Sequence, residues 1–187
     1  TLLAVWLTFK PEQTTLSRCG APLALALATL TKILTLFALT VLFWRWRWRQ
    51  LALYTGIILA LLLPFGLAAG WGLTGPLNGT GLFGAIRIYA DQWNFNSGLF
   101  HWLEVNWLPA LGVTKPTAWA RRIVAGGMLL ALGGAWLVAR RQRYIRPSLR
   151  LIAVPFMAYL LLTTTVHPWY GLVLIALLPL LAPAPEE

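Results

Sequence analysis

The stretch LALYTGIILALLLPFGLAA, residues 51–69, decides the fold class of this chain. It carries no charged side chain, and a membrane-crossing helix needs about 20 predominantly apolar residues. The preceding WRWRWRQ alternates Arg45, Arg47 and Arg49 with tryptophans, a pattern typical of a cytoplasmic headgroup interface. We therefore expect the stretch to cross a membrane outward, with Pro64 near its far end.

Composition extends this expectation to the whole chain. Of 187 residues, 59% are hydrophobic and 11% are charged, and the mean hydropathy of +0.71 is too high for a soluble domain. The net charge of +10 comes mainly from arginines that flank apolar runs, which favours cytoplasmic loops over nucleic-acid binding. Cys19 is the single cysteine, so no intrachain disulfide can form. We predict an all-α, polytopic integral membrane helix bundle, with residues 1–187 as one transmembrane domain.

Further spans are predicted at residues 117–139, 151–166 and 169–181, and residues 1–9 resemble the tail of an earlier helix. Thr1 lies inside an apolar stretch, so we interpret the chain as the C-terminal part of a larger membrane protein. Small residues in AGGMLLALGGA, residues 125–135, favour close helix packing. Five arginines mark a cytoplasmic loop: Arg140, Arg141, Arg143, Arg146 and Arg150.

Residues 21–43 leave two alternatives open. They form either one tilted span or two half-length helices that turn at Thr31 and Lys32. A lysine at membrane depth is costly, and a hairpin whose tip meets a wet cavity lowers that cost. The hairpin also puts Lys10 and Arg18 on the same side as Arg45, as the charge rule favours.

The octet YADQWNFN, residues 89–96, gathers polar side chains within a predicted external loop, residues 71–116. Read as a helix, it continues to Leu103 with one apolar and one polar face, which predicts an amphipathic helix lying at the outer interface. Asn96, Ser97 and Gly98 together are a turn signal that weakens this helix. The octet either contacts a ligand or serves only as an interfacial scaffold. The apolar face is Ile86, Tyr89, Ala90, Trp93, Phe100 and Leu103, and the polar face is Arg87, Asp91, Asn94 and His101.

Several cations are candidates for anion binding, each with a simpler alternative. Arg121 and Arg122 begin a span at its external end, where guanidinium groups hold phosphate bidentately or merely reach ordinary headgroups. His167 precedes Pro168 at a helix start, where anions are favoured and structural histidines are also common. Lys32 is either functional or paired within the membrane. Asp91 and Glu104 are the only carboxylates between Glu12 and Glu186, and no metal-ligand spacing is present.

Three segments together resemble bacterial GT-C-type glycosyltransferases. LALATLTKIL, residues 25–34, looks like the Leu-Thr-Lys element of that family, which usually continues with Pro where Thr35 stands here. YADQWNFN is similar to the Tyr, Trp, Phe-Asn segment of members that use polyprenyl-phosphate mannose. TTTVHPWYGLVLIALLPLL, residues 163–181, matches the His-Pro-Trp-Tyr element and its apolar run.

The resemblance implies a multi-pass enzyme of the bacterial inner membrane that transfers a hexose, with mannose expected, at the outer face. The donor would be a polyprenyl-phosphate-linked sugar and the acceptor a glycan or lipid. No other cofactor is implied, and the metal requirement stays open. In the family the catalytic carboxylate usually follows the first membrane helix, so it would lie upstream of this chain, which alone should be inactive. Sugar contact is assigned to Asp91, Trp93, Asn94, Asn96, His167 and Tyr170, and lipid-phosphate contact to Lys32, Arg121 and Arg122.

Two other classes stay in view. A transporter or lipid-handling scaffold should carry polar residues along several spans, because such groups mark permeation paths. Here the spans after Lys32 are almost wholly apolar, and the polar groups gather at their outer ends. A purely structural membrane subunit would leave the octet and the His-Pro-Trp-Tyr segment unexplained. The partners expected are membrane lipids, the donor and the acceptor, and no nucleic acid.

Overall fold

The computed structural model describes residues 1–12, 14–71, 80–91, 93–95, 97–142, 145–167 and 170–181. Regular secondary structure in these ranges is helical, apart from an isolated bridge between Phe95 and Thr165. The predicted all-α class is confirmed for this part of the chain. Asn96 lies outside the described residues, and so do Arg143, Pro168 and Trp169.

The described residues form ten α-helices and two other helical segments. A 3₁₀ segment, Ile33–Ala38, precedes α3, and a π-helical segment, Leu103–Trp107, joins α6 to α7. The helices are α1 Leu2–Phe9, α2 Thr15–Thr31, α3 Leu39–Leu42, α4 Trp48–Ala69, α5 Gly84–Asp91, α6 Gly98–Trp102, α7 Leu108–Ala110, α8 Pro116–Arg141, α9 Ile145–Leu162 and α10 Gly171–Leu181.

The chain divides into two compact units. The single transmembrane domain of residues 1–187 stays a prediction. The first unit comprises Thr1–Leu36 and Arg45–Trp93, and it contains α1, α2, α4 and α5. The second comprises Phe37–Trp44 and Asn94–Glu187, and it contains α3 and α6 to α10.

In the first unit, α2 begins after the capping residue Thr14 and ends at Thr31, just before Lys32. Thr14 Oγ1 accepts a hydrogen bond from Ser17 N at 3.2 Å, which satisfies one of the free N–H groups of the first turn. Lys32 has extended dihedral angles, φ −146° and ψ 112°, so the α-helix cannot continue through it. The first alternative for residues 21–43, one continuous helix, is therefore wrong.

The contacts of the first unit agree with the hairpin instead. One straight helix over residues 21–43 would separate Arg18 from Arg45 by about 40 Å at 1.5 Å per residue. Instead, Gln50 Nε2 donates to the carbonyl oxygen of Arg18 at 3.3 Å. The guanidinium of Arg45 lies 5.4 Å from the ring centroid of Phe9. The chain thus returns after Lys32 to the level at which α2 begins.

Helix α4 confirms that the predicted span at residues 51–69 is helical, and it starts three residues earlier, at Trp48; its crossing of a membrane stays a prediction. Its end is closed by packing that only glycine allows. A β-carbon at Gly66 would lie 2.6 Å from ring atoms of Trp71, so this indole rests directly on the helix backbone. Gly70 then takes φ 71°, a conformation that favours glycine, and turns the chain away.

Helix α8 confirms that the span predicted at residues 117–139 is helical, with Pro116 at its first position; its crossing of a membrane stays a prediction. It packs against α9 in the second unit. The expectation of close packing along residues 125–135 holds at Gly127, where a β-carbon would lie 3.1 Å from Leu162 Cδ1. At Gly126, Gly133 and Gly134 an added β-carbon would meet nothing within 4 Å, so those positions are not packed closely.

Among the described residues, two helices are long and apolar enough to cross a membrane. They are α4, with 22 residues and a mean hydropathy of 2.2, and α8, with 26 residues and a mean hydropathy of 1.7. Only 11% and 17% of their most apolar windows are buried within the protein, so most of this apolar surface faces outward. Helix α9 ends at Leu162, before the end of the span predicted at residues 151–166. Helix α10 starts at Gly171, after the start of the span predicted at residues 169–181. That these two helices cross a membrane stays a prediction.

The predicted continuous amphipathic helix between Ile86 and Leu103 is wrong. Helix α5 ends at Asp91, and helical structure resumes only at Gly98. Of the predicted apolar face, Phe100 and Leu103 are buried, whereas Ile86 and Trp93 are exposed. Whether α5 to α7 lie at a membrane interface stays a prediction.

Candidate functional site

The interruption of the octet helix coincides with a backbone contact in the second unit. Phe95 N donates to the carbonyl oxygen of Thr164 at 3.2 Å, and Val166 N donates to the carbonyl oxygen of Phe95 at 3.1 Å. These two bonds form a parallel bridge between Phe95 and Thr165. The octet is thereby fixed to the segment that leads into His167, 72 residues further along the chain. Residues 163–166, predicted as helical, leave the helix to form this bridge.

Aromatic contacts then hold His167 on both sides. Its half-buried ring meets Phe95 edge to face, with centroids 4.9 Å apart, and meets Tyr170 in the same manner at 5.2 Å. Tyr170 N also donates to the carbonyl oxygen of His167 at 2.9 Å. Tyr159 of α9 packs edge to face on Tyr170 at 5.7 Å. Such pairs stabilise by about 0.5–1.5 kcal/mol each, so the imidazole is held in a defined orientation.

A set of polar side chains lies beside this cluster in the same unit. The carboxylate of Glu104 accepts at both oxygens: Oε2 from Asn94 Nδ2 at 2.8 Å, and Oε1 from Thr117 Oγ1 at 2.6 Å. The hydroxyl of Ser97, which is buried, donates to Asn94 Oδ1 at 2.9 Å. Hydrogen bonds to a carboxylate are stronger than neutral ones, so both oxygens of Glu104 are oriented.

These polar groups border an open cleft of about 650 Å³, within the range of small-ligand sites. Glu104 belongs to the π-helical segment Leu103–Trp107, and π-helical turns are frequent at functional sites. Thr117 lies in the first turn of α8, so the cleft is situated at one end of a helix that can cross a membrane. The lining consists of Asn94, Phe95, Ser97, Gly98, His101, Glu104 and Val105.

The predicted arginines differ in their surroundings. The guanidinium of Arg121 is half-buried and lies 5.9 Å from the ring centroid of Phe100, which belongs to the core of the second unit. Arg122 is exposed, and its guanidinium lies 4.9 Å from the ring of Trp119 on the same helix. Neither belongs to the lining of the cleft among the described residues. Arg121 is the better placed of the two, because Phe100 belongs to the same short helix as the cleft residues Gly98 and His101.

Of the predicted sugar contacts, the structure brings Asn94, His167 and Tyr170 into one unit, joined through Phe95. Asp91 and Trp93 belong to the first unit, where Asp91 is the last residue of α5 and Trp93 is 45% exposed. The side chain of Asp91 and all of Asn96 lie outside what the structure describes.

The first unit has a cavity of its own, of about 540 Å³, at the turn where the hairpin alternative expected a wet cavity. Two of its polar side chains are joined, Thr29 Oγ1 and Tyr54 Oη being 3.1 Å apart. Lys32 lies between two lining residues in the chain and has an exposed side chain. The remaining lining is mostly apolar; the whole set is Thr29, Leu30, Thr31, Ile33, Leu36, Tyr54, Thr55, Ile58, Leu59, Leu62, Leu82, Phe83 and Ile86.

Sequence reasoning assigned no role to Glu104, Ser97 or Thr117. Glu104 and Asp91 are the two carboxylates of the predicted external loop, but their separation of thirteen residues matches no known catalytic pair. A usable signal was present, because His101 and Glu104 are three residues apart and so share a helix face. Thr117 carried no signal, since its partner is identified only by the fold.

Among the described residues, no group of three or more His, Cys, Asp or Glu side chains is close enough to hold a metal ion. Comparison of the chain with protein-family models, with curated proteins and with solved structures finds no match.

Proposed function

We propose that this chain is part of a GT-C-type glycosyltransferase, which transfers a hexose, with mannose expected, from a polyprenyl-phosphate donor to a glycan or lipid acceptor. The proposed setting is a multi-pass protein of the bacterial inner membrane, with the reaction at the outer face. The proposal rests on the resemblance of three segments, and two of these, the octet and the His-Pro-Trp-Tyr segment, are joined by the bridge at Phe95.

The observation that carries the proposal is the hydrogen-bonded set of Asn94, Glu104 and Thr117 at the first turn of α8. Oriented carboxylate and amide groups are suited to bind sugar hydroxyls, because each hydroxyl both donates and accepts hydrogen bonds. The cleft beside them opens at the end of an apolar helix, where a polar sugar and a lipid carrier can meet. A sugar also has apolar C–H faces that pack on rings. The rings of the aromatic cluster can provide this contact, namely those of Phe95, His167 and Tyr170.

In this proposal the donor phosphate leaves as an anion and needs positive charge nearby. Arg121, Arg122 and Lys32 are the proposed phosphate contacts, with His167 as a further source of charge. The apolar cavity beside Lys32 supports a lipid chain in the first unit. The catalytic carboxylate is proposed to lie upstream, as in the family, and Asp91, Trp93 and Asn96 remain proposed sugar contacts.

The test uses the full-length protein in membranes supplied with radiolabelled polyprenyl-phosphate mannose. Asp91→Asn and His167→Ala should each lower the rate of sugar transfer at least about tenfold while membrane insertion stays normal. Asn106→Ala is the control, because Asn106 is exposed on the same π-helical segment and does not line the cleft. Wild-type transfer rates in both site variants would refute the assignment.

A lipid-handling scaffold is the second candidate, and the 540 Å³ apolar cavity favours it. Such a protein would bind lipid-linked sugar without transferring the sugar. Full-length protein that accelerates exchange of a fluorescent polyprenyl phosphate between vesicles, yet shows no transfer with any hexose donor, would favour the scaffold.

A further inference from the structure

A positively charged surface lies in the first unit, at the end where α4 begins. Its cations come from three separate stretches of the chain, namely Lys10, Arg18 and the alternating Arg45, Arg47 and Arg49. Arg47 and Arg49 are exposed. These five cations, together with Trp6 and Trp48, are called the basic-aromatic surface below.

Tertiary contacts assemble this surface, starting with the junction between α2 and α4. Gln50 Nε2 donates to the carbonyl oxygen of Arg18 at 3.3 Å, and Gln50 Oε1 accepts from Arg47 N at 3.0 Å. One glutamine side chain thus joins the start of α2 to the start of α4, and it brings the backbones that carry Arg18 and Arg47 together.

Helix α1 joins the surface from the other side. Trp46 Nε1 donates to Thr8 Oγ1 at 2.9 Å, and Trp46 itself is buried. The guanidinium of Arg45 lies 5.4 Å from the ring centroid of Phe9. In the alternating sequence, the side chain of Trp46 is therefore buried, and its neighbours Arg45 and Arg47 are more exposed.

The exposed tryptophans give the surface an amphipathic character. Trp48 is 72% exposed and has the guanidinium of Arg49 at 5.6 Å from its ring centroid. Trp6 is 58% exposed and has Lys10 Nζ at 5.6 Å from its ring. Tryptophan and arginine side by side are characteristic of protein surfaces at the level of lipid headgroups.

Charge balance identifies the partner. Among the described residues of the first unit, the side-chain carboxylates are those of Glu12 and Asp91, and only Glu12 is close in sequence to the surface. Five cations against one carboxylate leave an excess of positive charge that an anion can offset. Arginine pairs with phosphate oxygens bidentately, and each basic residue near an anionic membrane adds about 1 kcal/mol of attraction.

We propose that the basic-aromatic surface binds the phosphate headgroup of an anionic phospholipid of the surrounding bilayer. Helix α4 starts at Trp48 and is apolar enough to cross a membrane, so acyl chains would lie along it while the phosphate meets Arg47 and Arg49. This binding is independent of sugar transfer and involves none of the residues proposed for it.

The experiment measures lipid retention by the purified full-length protein with native mass spectrometry, after exchange into equal amounts of phosphatidylglycerol and phosphatidylcholine. Wild-type protein should retain phosphatidylglycerol preferentially. The double variant Arg47→Gln, Arg49→Gln should weaken that retention about 10- to 30-fold. Arg47→Lys, Arg49→Lys should retain part of it, because the charge remains and the bidentate geometry is lost.

The matched control is Arg140→Gln, Arg141→Gln, which removes the same charge from the end of α8. If both glutamine variants lost phosphatidylglycerol retention equally, the effect would come from net charge alone, and the proposal would be overturned. Equal retention of both lipids by the wild type would overturn it as well, even if the variants did not fold. A single-stranded oligonucleotide that displaces the lipid from Arg47 and Arg49 at matched charge would instead assign the surface to nucleic acid.

Discussion

Asn94 Nδ2 donates to Glu104 Oε2 at 2.8 Å, across the interruption between α5 and α6. The same carboxylate accepts from Thr117 Oγ1, in the first turn of α8. Glu104 therefore links the octet, the π-helical segment and a candidate membrane helix. We expect this link to determine both the shape of the cleft and its ability to bind a polar ligand.

Replacement of Glu104 tests that link. Glu104→Gln keeps the size of the side chain but removes its charge, so two charge-assisted hydrogen bonds become weaker neutral ones. We expect transfer to fall at least about tenfold and the free energy of unfolding to fall by about 1 kcal/mol. Transfer assays and chemical denaturation of the full-length protein measure these effects. A variant with unchanged transfer would show that Glu104 does not serve the site.

His167→Phe separates packing from chemistry at the aromatic cluster. Phenylalanine can keep the edge-to-face contacts with Phe95 and Tyr170 but has no ring nitrogen. We expect near wild-type thermal stability in His167→Phe, a loss of about 1–2 kcal/mol in His167→Ala, and low transfer in both. Full transfer by His167→Phe would mean that the histidine is structural. Asn106→Ala again serves as the control, because Asn106 is exposed on the π-helical segment and does not line the cleft.

The topology of α8 can be tested by thiol labelling in a Cys19→Ser background. Its 26 residues extend about 39 Å, enough to cross a bilayer. Lys115→Cys should react with a membrane-impermeant reagent added outside intact cells, and Arg141→Cys should react only after the cells are opened. Labelling of both positions from the same side would contradict the span.

Packing between α8 and α9 gives a stability prediction. Valine at position 127 would place bulk where a β-carbon already lies 3.1 Å from Leu162, so we expect Gly127→Val to destabilise the protein by about 1–3 kcal/mol. Gly126→Val is the matched control, since a β-carbon there meets nothing within 4 Å. Thermal unfolding in detergent compares the two, and equal shifts would argue against close packing at Gly127.

Part of the candidate site was predictable from residue types alone. Asn94 and His167 stood out because polar side chains are unusual in so apolar a chain, whereas Tyr170 was assigned through the family resemblance. The structure brings all three into one unit. Glu104 and Thr117 were not assigned, because a hydrogen bond between residues thirteen positions apart leaves no periodic signal. The octet was predicted as continuous helix from its helical spacing, which does not reveal that the backbone of Phe95 pairs with Thr164 and Val166 instead.

The sequence by itself determined the all-helical class and the two long apolar helices, because about 20 consecutive apolar residues specify such a helix without reference to the rest of the chain. It left residues 21–43 undecided, since one helix and a hairpin satisfy the same hydropathy. Only the tertiary structure decided the break at Lys32, the bridge at Phe95 and the partners of Glu104. Each of these depends on which distant groups meet, and a backbone or carboxylate oxygen pairs with any donor that the fold brings within hydrogen-bonding distance.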